Sequence, residues 1–358
     1  MNKYLSNKLK IISLTGMIIV VYGHSYNLTV NFKSGGIKFS NQFNLFIQNF
    51  FLDHILAIAL ALFFCMSGYL FFFNFTGSFD EIALKYQKRV RSLLLPYLIW
   101  SLWGISVYII LQSIPESSNF FTRDVFLNYR PSKIFETIFI HPIPYQLWFL
   151  RDLIMMVICS PLIYILLKKA GIIPVLVLFL NWLGLIDINF MIFADNSILF
   201  FSAGAYLAIY NTDLPAKRPT RSYSLLFTSL WITLIVAETV LLKQGYGHLL
   251  IPSLLKKAAN LTGILVIWST YDLVKKQNIT LKHKLLNLSS YSFFVYMSHE
   301  PLLTVIKKGL FYLTGFSELI SFFIFLIAPI LTILICVNSA KLLHSFSPKF
   351  YHLISGGR

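Results

Sequence analysis

The sequence predicts an all-α protein, a polytopic transmembrane helical bundle of about ten helices with both termini cytoplasmic. Three observations predict it. Hydrophobic residues make up 57% of the 358 positions and charged residues only 12%, with a mean hydropathy of +0.71. A soluble domain carries about 25% charged residues. The apolar residues gather in runs close to the ~20 residues that a bilayer core of about 30 Å requires of a helix. The Lys and Arg residues are distributed unequally between the two sets of loops that those runs define, the pattern that orients membrane proteins.

The first run, 9–28, follows Lys3, Lys8 and Lys10. No small-x-small cleavage site follows it, so it reads as a retained helix and not a removed leader. The second, 46–73, is the longest and ends in a Phe-rich stretch; the third, 93–113, starts at Leu-Leu-Leu-Pro96-Tyr97. The connection over 114–146 is polar, aromatic and proline-containing, and suits a short interfacial helix. The fourth run, 147–167, opens on Leu147-Trp148-Phe149-Leu150, and 171–187 and 196–211 are short. Runs 223–243, 249–273, 289–306 and 318–341 complete the set. No stretch reads as a soluble domain, so residues 1–358 are expected to form one membrane-embedded domain.

With the N-terminus inside and the runs alternating, 19 of the 30 cations fall inside, eight outside and three (Arg151, Lys256, Lys257) within spans. The inside set includes Lys8 and Lys217–Arg221, and the outside set includes Lys307 and Lys308. The net charge of +16 is thereby read as topology and not as a polyanion-binding surface. A soluble enzyme, a disordered chain and a nucleic-acid-binding domain all fit poorly. Cys65, Cys159 and Cys336 each lie in an apolar run without C-x-x-C spacing, so neither a zinc site nor a disulfide framework is expected. No metal is implied.

Charge inside a bilayer is costly, so each ionisable residue in a span is a functional candidate. The set is His24, Asp53, Arg151, Asp152, Glu238, Lys256, Lys257, His299 and Glu300. His24 lies about 15 residues into an outward-running helix and His299 about 10 into another, at 1.5 Å per residue. Asp53 and Glu238 are read as neutralising partners for Arg151, Lys256 or Lys257. The Ser67-Gly68 pair reads as close helix packing.

Five stretches recur in a recognisable order. They are Lys10 to His24-Ser25, Leu62 to Ser67-Gly68-Tyr69-Leu70, Lys88-Arg89-Val90-Arg91 running into Pro96-Tyr97, Leu147-Trp148-Phe149-Leu150-Arg151-Asp152-Leu153, and Ser290 to His299-Glu300-Pro301-Leu302. In this order they resemble the acyltransferase-3 family of integral membrane O-acyltransferases, over nearly the whole chain. Many members carry Arg eleven residues before the first histidine; here that position is Ser13, with Lys10 nearly one turn earlier. The resemblance implies transfer of an acyl group, often acetyl, from cytoplasmic acyl-CoA to a hydroxyl. The acceptor it implies is a sugar of a surface polysaccharide or a lipid-linked saccharide, and the location a bacterial inner membrane.

The chemistry of the residues fits that expectation. O-acylation from a thioester needs a base at the acceptor hydroxyl, and neutral imidazole serves near pH 7. His24 is the first candidate base, and His299 a second base or an orienting group beside Glu300. Arg binds phosphate through bidentate, charge-assisted bonds, so Arg89, Arg91 and Lys88 at the inner mouth of the third run are candidates for the CoA phosphates. Arg151, Asp152, Trp148 and Glu300 are candidates for the acceptor, with Arg151 and Asp152 equally able to pair with each other. A transporter or flippase of a glycan or lipid intermediate is the rival reading, although no repeat or pair of Gly/Pro-broken helices supports it.

Overall fold

A computed structural model describes residues 1–32, 35–115, 125–190, 193–274 and 279–357. Of the cations counted above, Lys33, Arg123, Lys275, Lys276 and Arg358 lie outside these residues. The helices in chain order are α1 (Lys3–His24), α2 (Gln42–Phe50), α3 (Ala57–Phe72), α4 (Phe79–Arg89), α5 (Leu95–Gln112), α6 (Pro131–Phe139), α7 (Leu147–Ile158) and α8 (Ser160–Ala170). They continue with α9 (Ile173–Leu183), α10 (Asp195–Tyr210), α11 (Arg221–Lys243), α12 (Leu250–Val274), α13 (Ile279–Ser289), α14 (Ser292–Thr314), α15 (Glu318–Phe346) and α16 (Pro348–Ile354). One antiparallel hairpin, β1 (Thr29–Phe32) with β2 (Gly35–Lys38), follows α1.

Each of the ten apolar runs is helical, but the runs differ in kind. Among the described residues, six helical stretches are long and apolar enough to cross a bilayer: Lys3–His24, Gln42–Phe72, Phe79–Gln112, Arg221–Lys243, Leu250–Leu273 and Glu318–Phe346. Two of these continue through π-helical turns, Phe51–Leu56 joining α2 to α3 and Val90–Leu94 joining α4 to α5. The fourth run is a pair, α7 and α8, bent by 58°, with Ser160-Pro161 opening α8 where proline cannot continue the preceding ladder. The fifth run is only the 11 residues of α9. The connection over 114–146 holds one short helix, α6, as expected of it. The chain is thus an integral membrane protein of α class.

The chain forms two compact units. Unit 1 comprises Met1–Gly16, Asp53–Lys85 and Met155–Ser290, and unit 2 comprises Met17–Leu52, Tyr86–Ile154 and Tyr291–Arg358. In unit 1 the helices α3 and α10 meet backbone to backbone. A Cβ on Gly68 would fall on the carbonyl oxygen of Phe201, and a Cβ on Gly204 on that of Cys65. Small residues permit this approach, which in lipid replaces the hydrophobic drive that soluble helices use. Backbone atoms cannot give way, so Gly68→Val is expected to destabilise unit 1 by about 3 kcal/mol or more. Thermal unfolding of detergent-solubilised protein checks this, and an unchanged midpoint would contradict it.

Two acids of unit 1 sit beside basic side chains. Asp53 accepts from Lys256 at 2.7 Å and Glu238 lies 3.4 Å from His54. The Asp53–Lys256 pair is one the sequence reading allowed; His54, uncharged unless protonated, is a neighbour of Glu238 that it did not foresee. Lys8 departs from its expected place among the topology-setting cations. It is fully buried, 2.8 Å from the carboxylate of Asp272 and 4.4 Å above the ring of Trp268.

Candidate functional site

Unit 2 gathers His24, His299 and Glu300. His24 is the last residue of α1, and the chain beyond it is held by a buried polar network. Ser25 Oγ donates to Phe325 O at 3.1 Å. Asn27 Nδ2 donates to Ser321 O at 3.0 Å, Gln48 Nε2 donates to Asn27 Oδ1 at 3.0 Å, and Asn44 Nδ2 donates to Ser321 Oγ at 3.0 Å. Such networks are costly unless every member is satisfied, and then they fix one arrangement. The end of α1 is therefore anchored to α2 and α15 by specific bonds.

His299 sits where α14 breaks. Glu300 leaves the helical region at φ −109° and ψ 138°, as the residue before a proline prefers. Pro301 has no N–H, so the carbonyl of Met297, four residues earlier, loses its helical donor. Gln146 replaces it: its Nε2 donates to Met297 O at 3.1 Å and lies 3.5 Å from Glu300 O. Tyr296 in turn donates its hydroxyl to Gln146 O. The neighbouring Tyr145 donates to Glu300 Oε1 at 3.0 Å. The Tyr145-Gln146 pair thus clamps the break from the loop that precedes α7.

The two imidazoles lie side by side, with ring centroids 5.3 Å apart, and the Tyr145 ring stands edge-on to His24 at 4.5 Å. His299 Nδ1 is 3.2 Å from Val295 O. A carbonyl only accepts, so Nδ1 carries the proton and Nε2 holds a bare lone pair. That Nε2 is buried and has no hydrogen-bond partner. His24 is half-buried, and no hydrogen bond from a described residue reaches its ring. One imidazole is therefore approachable and the other is a buried base behind it. Lys307 Nζ donates to the backbone carbonyls of His24 and Tyr26 at 2.6 and 3.4 Å. The sequence had placed Lys307 in an outer loop; α14 instead continues past it to Thr314.

Other sequence candidates are placed differently. Arg151 binds Asp152 through Nε and Nη2, at 3.2 and 2.8 Å, and its Nη1 donates to Ile140 O at 2.6 Å. Asp152 is wholly buried, so it serves as the counter-ion of Arg151, the pairing that the sequence allowed. Trp148 is half-buried on the first turn of α7. Lys88 and Arg91 are exposed and Arg89 half-buried at the π-helical turn between α4 and α5. The structure brings none of these three into contact with the imidazole pair. Among the described residues, no group of three or more His, Cys, Asp or Glu is arranged to hold a metal ion.

An apolar groove of about 590 Å³ runs along the face of α14 that carries Ser298 and Pro301. Trp100, Trp103, Cys336 and Ile354 help to line it. The residues flanking His299 and Glu300 in sequence thus belong to its wall. Sequence reasoning missed Tyr145, Gln146 and Lys307. One signal pointed to Tyr145 and Gln146, a polar pair directly before an apolar helix; Lys307 stood just beyond the apolar run and had no such signal.

Comparison with known proteins follows the motifs. Residues 11–338 match the acyltransferase-3 family, described as an acyltransferase domain. The chain is similar to the succinoglycan biosynthesis protein ExoH of Rhizobium meliloti (strain 1021), at 27% identity over 298 residues, which is 82% of this chain and 77% of that protein. No solved structure matches the chain.

Proposed function

Since the chain belongs to the acyltransferase-3 family, we propose that it transfers an acyl group, acetyl in the first instance, from cytoplasmic acyl-CoA to a sugar hydroxyl. The acceptor is a surface polysaccharide or its lipid-linked precursor, and the setting a bacterial inner membrane. The observation that carries this reading is the imidazole pair: an approachable His24 beside a buried His299 whose Nε2 is bare. A relative named for succinoglycan biosynthesis supports a glycan acceptor. The family match runs through both units, which supports treating the chain as one acyltransferase domain, and both termini are taken as cytoplasmic on the distribution of Lys and Arg.

In the proposed reaction His24 takes the proton of the acceptor hydroxyl, and the alkoxide attacks the thioester carbonyl. The C–S bond breaks, the thiolate of CoA takes the proton back from His24, and the sugar ester leaves. His299 is assigned as a positioning residue: its Nε2, which has no partner among the described residues, would take up the ring N–H of the neighbouring His24 once the acceptor is bound and so fix which nitrogen of His24 faces it. Glu300, held by Tyr145 and by Thr304 N, fixes the break that carries His299. The groove beside α14 suits the apolar part of a substrate. Trp148 and Arg151 border the acceptor, with Asp152 holding Arg151 in place.

Arg89, Arg91 and Lys88 hold the CoA phosphates in this account. Charge-assisted bonds to phosphate contribute about 1.5–3 kcal/mol each. Arg89→Ala and Arg91→Ala are therefore expected to raise KM for acyl-CoA about tenfold or more, with a smaller change in kcat. Thiol release from acetyl-CoA, measured with purified enzyme and acceptor, checks this. A KM unchanged in both variants would remove the cations from the donor site.

A further inference from the structure

Unit 1 contains a cavity that the transfer chemistry does not use. It measures about 420 Å³ and is walled by α1, α3, α10, α11 and α12, with Leu62, Met66, Leu207, Phe227 and Trp268 among its lining. Its walls are aliphatic and aromatic almost throughout. At one end lies the segment between α10 and α11, which contributes Lys217 and Arg218 to the lining. Both are exposed, and among the described residues neither pairs with a carboxylate. The guanidinium of Arg218 stacks 4.7 Å from the Tyr4 ring centroid, which orders it without neutralising it. Asp272, the acid that Tyr4 reaches, is already bound by Lys8 at 2.8 Å and by the Tyr4 hydroxyl at 2.6 Å.

An apolar cavity ending in two uncompensated cations is complementary to an amphiphile with a fatty chain and an anionic head. We propose that it binds one anionic phospholipid, with a fatty chain between the helices and the phosphate on Lys217 and Arg218. The position agrees with the sequence, which places Lys217, Arg218 and Arg221 on the cytoplasmic side. Basic pockets between spanning helices on that side are where anionic headgroups bind. A zwitterionic lipid has the same phosphate but brings its own cation, so the site discriminates by charge. The proposal does not depend on the reaction assigned to unit 2.

The test uses the full chain in nanodiscs of phosphatidylcholine containing increasing amounts of phosphatidylglycerol with brominated chains, which quench tryptophan on contact. The quenching lost on Trp268→Phe isolates the cavity component. That component is expected to appear with phosphatidylglycerol and to be much weaker with brominated phosphatidylcholine. In Lys217→Gln/Arg218→Gln it should need about 25-fold more phosphatidylglycerol, from roughly fivefold per cation. Equal quenching of the Trp268 component by the two lipids would overturn the proposal. So would quenching that Trp268→Phe leaves unchanged, or displacement of the lipid by acetyl-CoA, which would assign the cavity to the donor.

Discussion

His24→Ala is expected to lower kcat for acyl transfer by about 10²–10⁴-fold, the usual contribution of a general base. KM for acyl-CoA should move little, because the substitution removes an interaction with the reacting proton and not with the donor phosphates. The protein should still insert, since the end of α1 is held by Ser25, Asn27 and the carbonyl of His24 and not by the imidazole. Thiol release and acceptor acylation measured on the purified variant, with its size-exclusion profile as the folding control, decide the matter. Activity within threefold of wild type would remove His24 from the chemistry. His299→Gln provides the companion reading: a positioning residue should lower kcat and shift its pH profile while leaving KM in place.

Asp272→Ala is expected to destabilise unit 1 by about 3–5 kcal/mol, as removal of one member of a buried pair does. Lys8 is wholly inaccessible, and its ammonium has the Asp272 carboxylate, the Tyr4 hydroxyl and the face of Trp268 as surroundings. Without Asp272 the charge keeps only the ring and the phenol, and neither carries the opposite charge. The pair itself need not be a net stabiliser, because desolvating both ions offsets their attraction. The double substitution Lys8→Met/Asp272→Leu should therefore recover most of the loss. Thermal unfolding of the three proteins in detergent tests this. A single variant as stable as wild type would show that Lys8 reaches water or lipid headgroups by another route.

The helical class and the ten apolar runs were legible because lipid exposure leaves long apolar stretches that hydropathy reads directly. The two histidines were legible through the order of the motifs, and Gly68 through its small-residue context. What sequence could not supply was the partner set. Gln146 matters because Pro301 frees a carbonyl 151 residues away in the chain, and such an exchange is visible only once the break in α14 is seen. Lys307 was assigned to a loop because the apolar run ends before it, although the helix continues. Lys8 looked like an ordinary cytoplasmic anchor, since the charge-distribution rule counts cations and does not see that Asp272 has claimed one. The ionisable residues of the spans fall in both units: Asp53, His54, Glu238 and Lys256 belong to unit 1, and His24, His299 and Glu300 to unit 2.

Acyl transfer to a surface glycan is tested most directly by NMR of the cell's own surface polysaccharide, compared between wild-type cells, a strain lacking the gene, and that strain carrying the gene with His24→Ala. The account predicts an O-acyl signal that is present in the first and missing from the other two, with the carbohydrate backbone still exported in all three. An O-acyl pattern unchanged by loss of the gene would contradict it, and loss of the polysaccharide itself would favour a transporter.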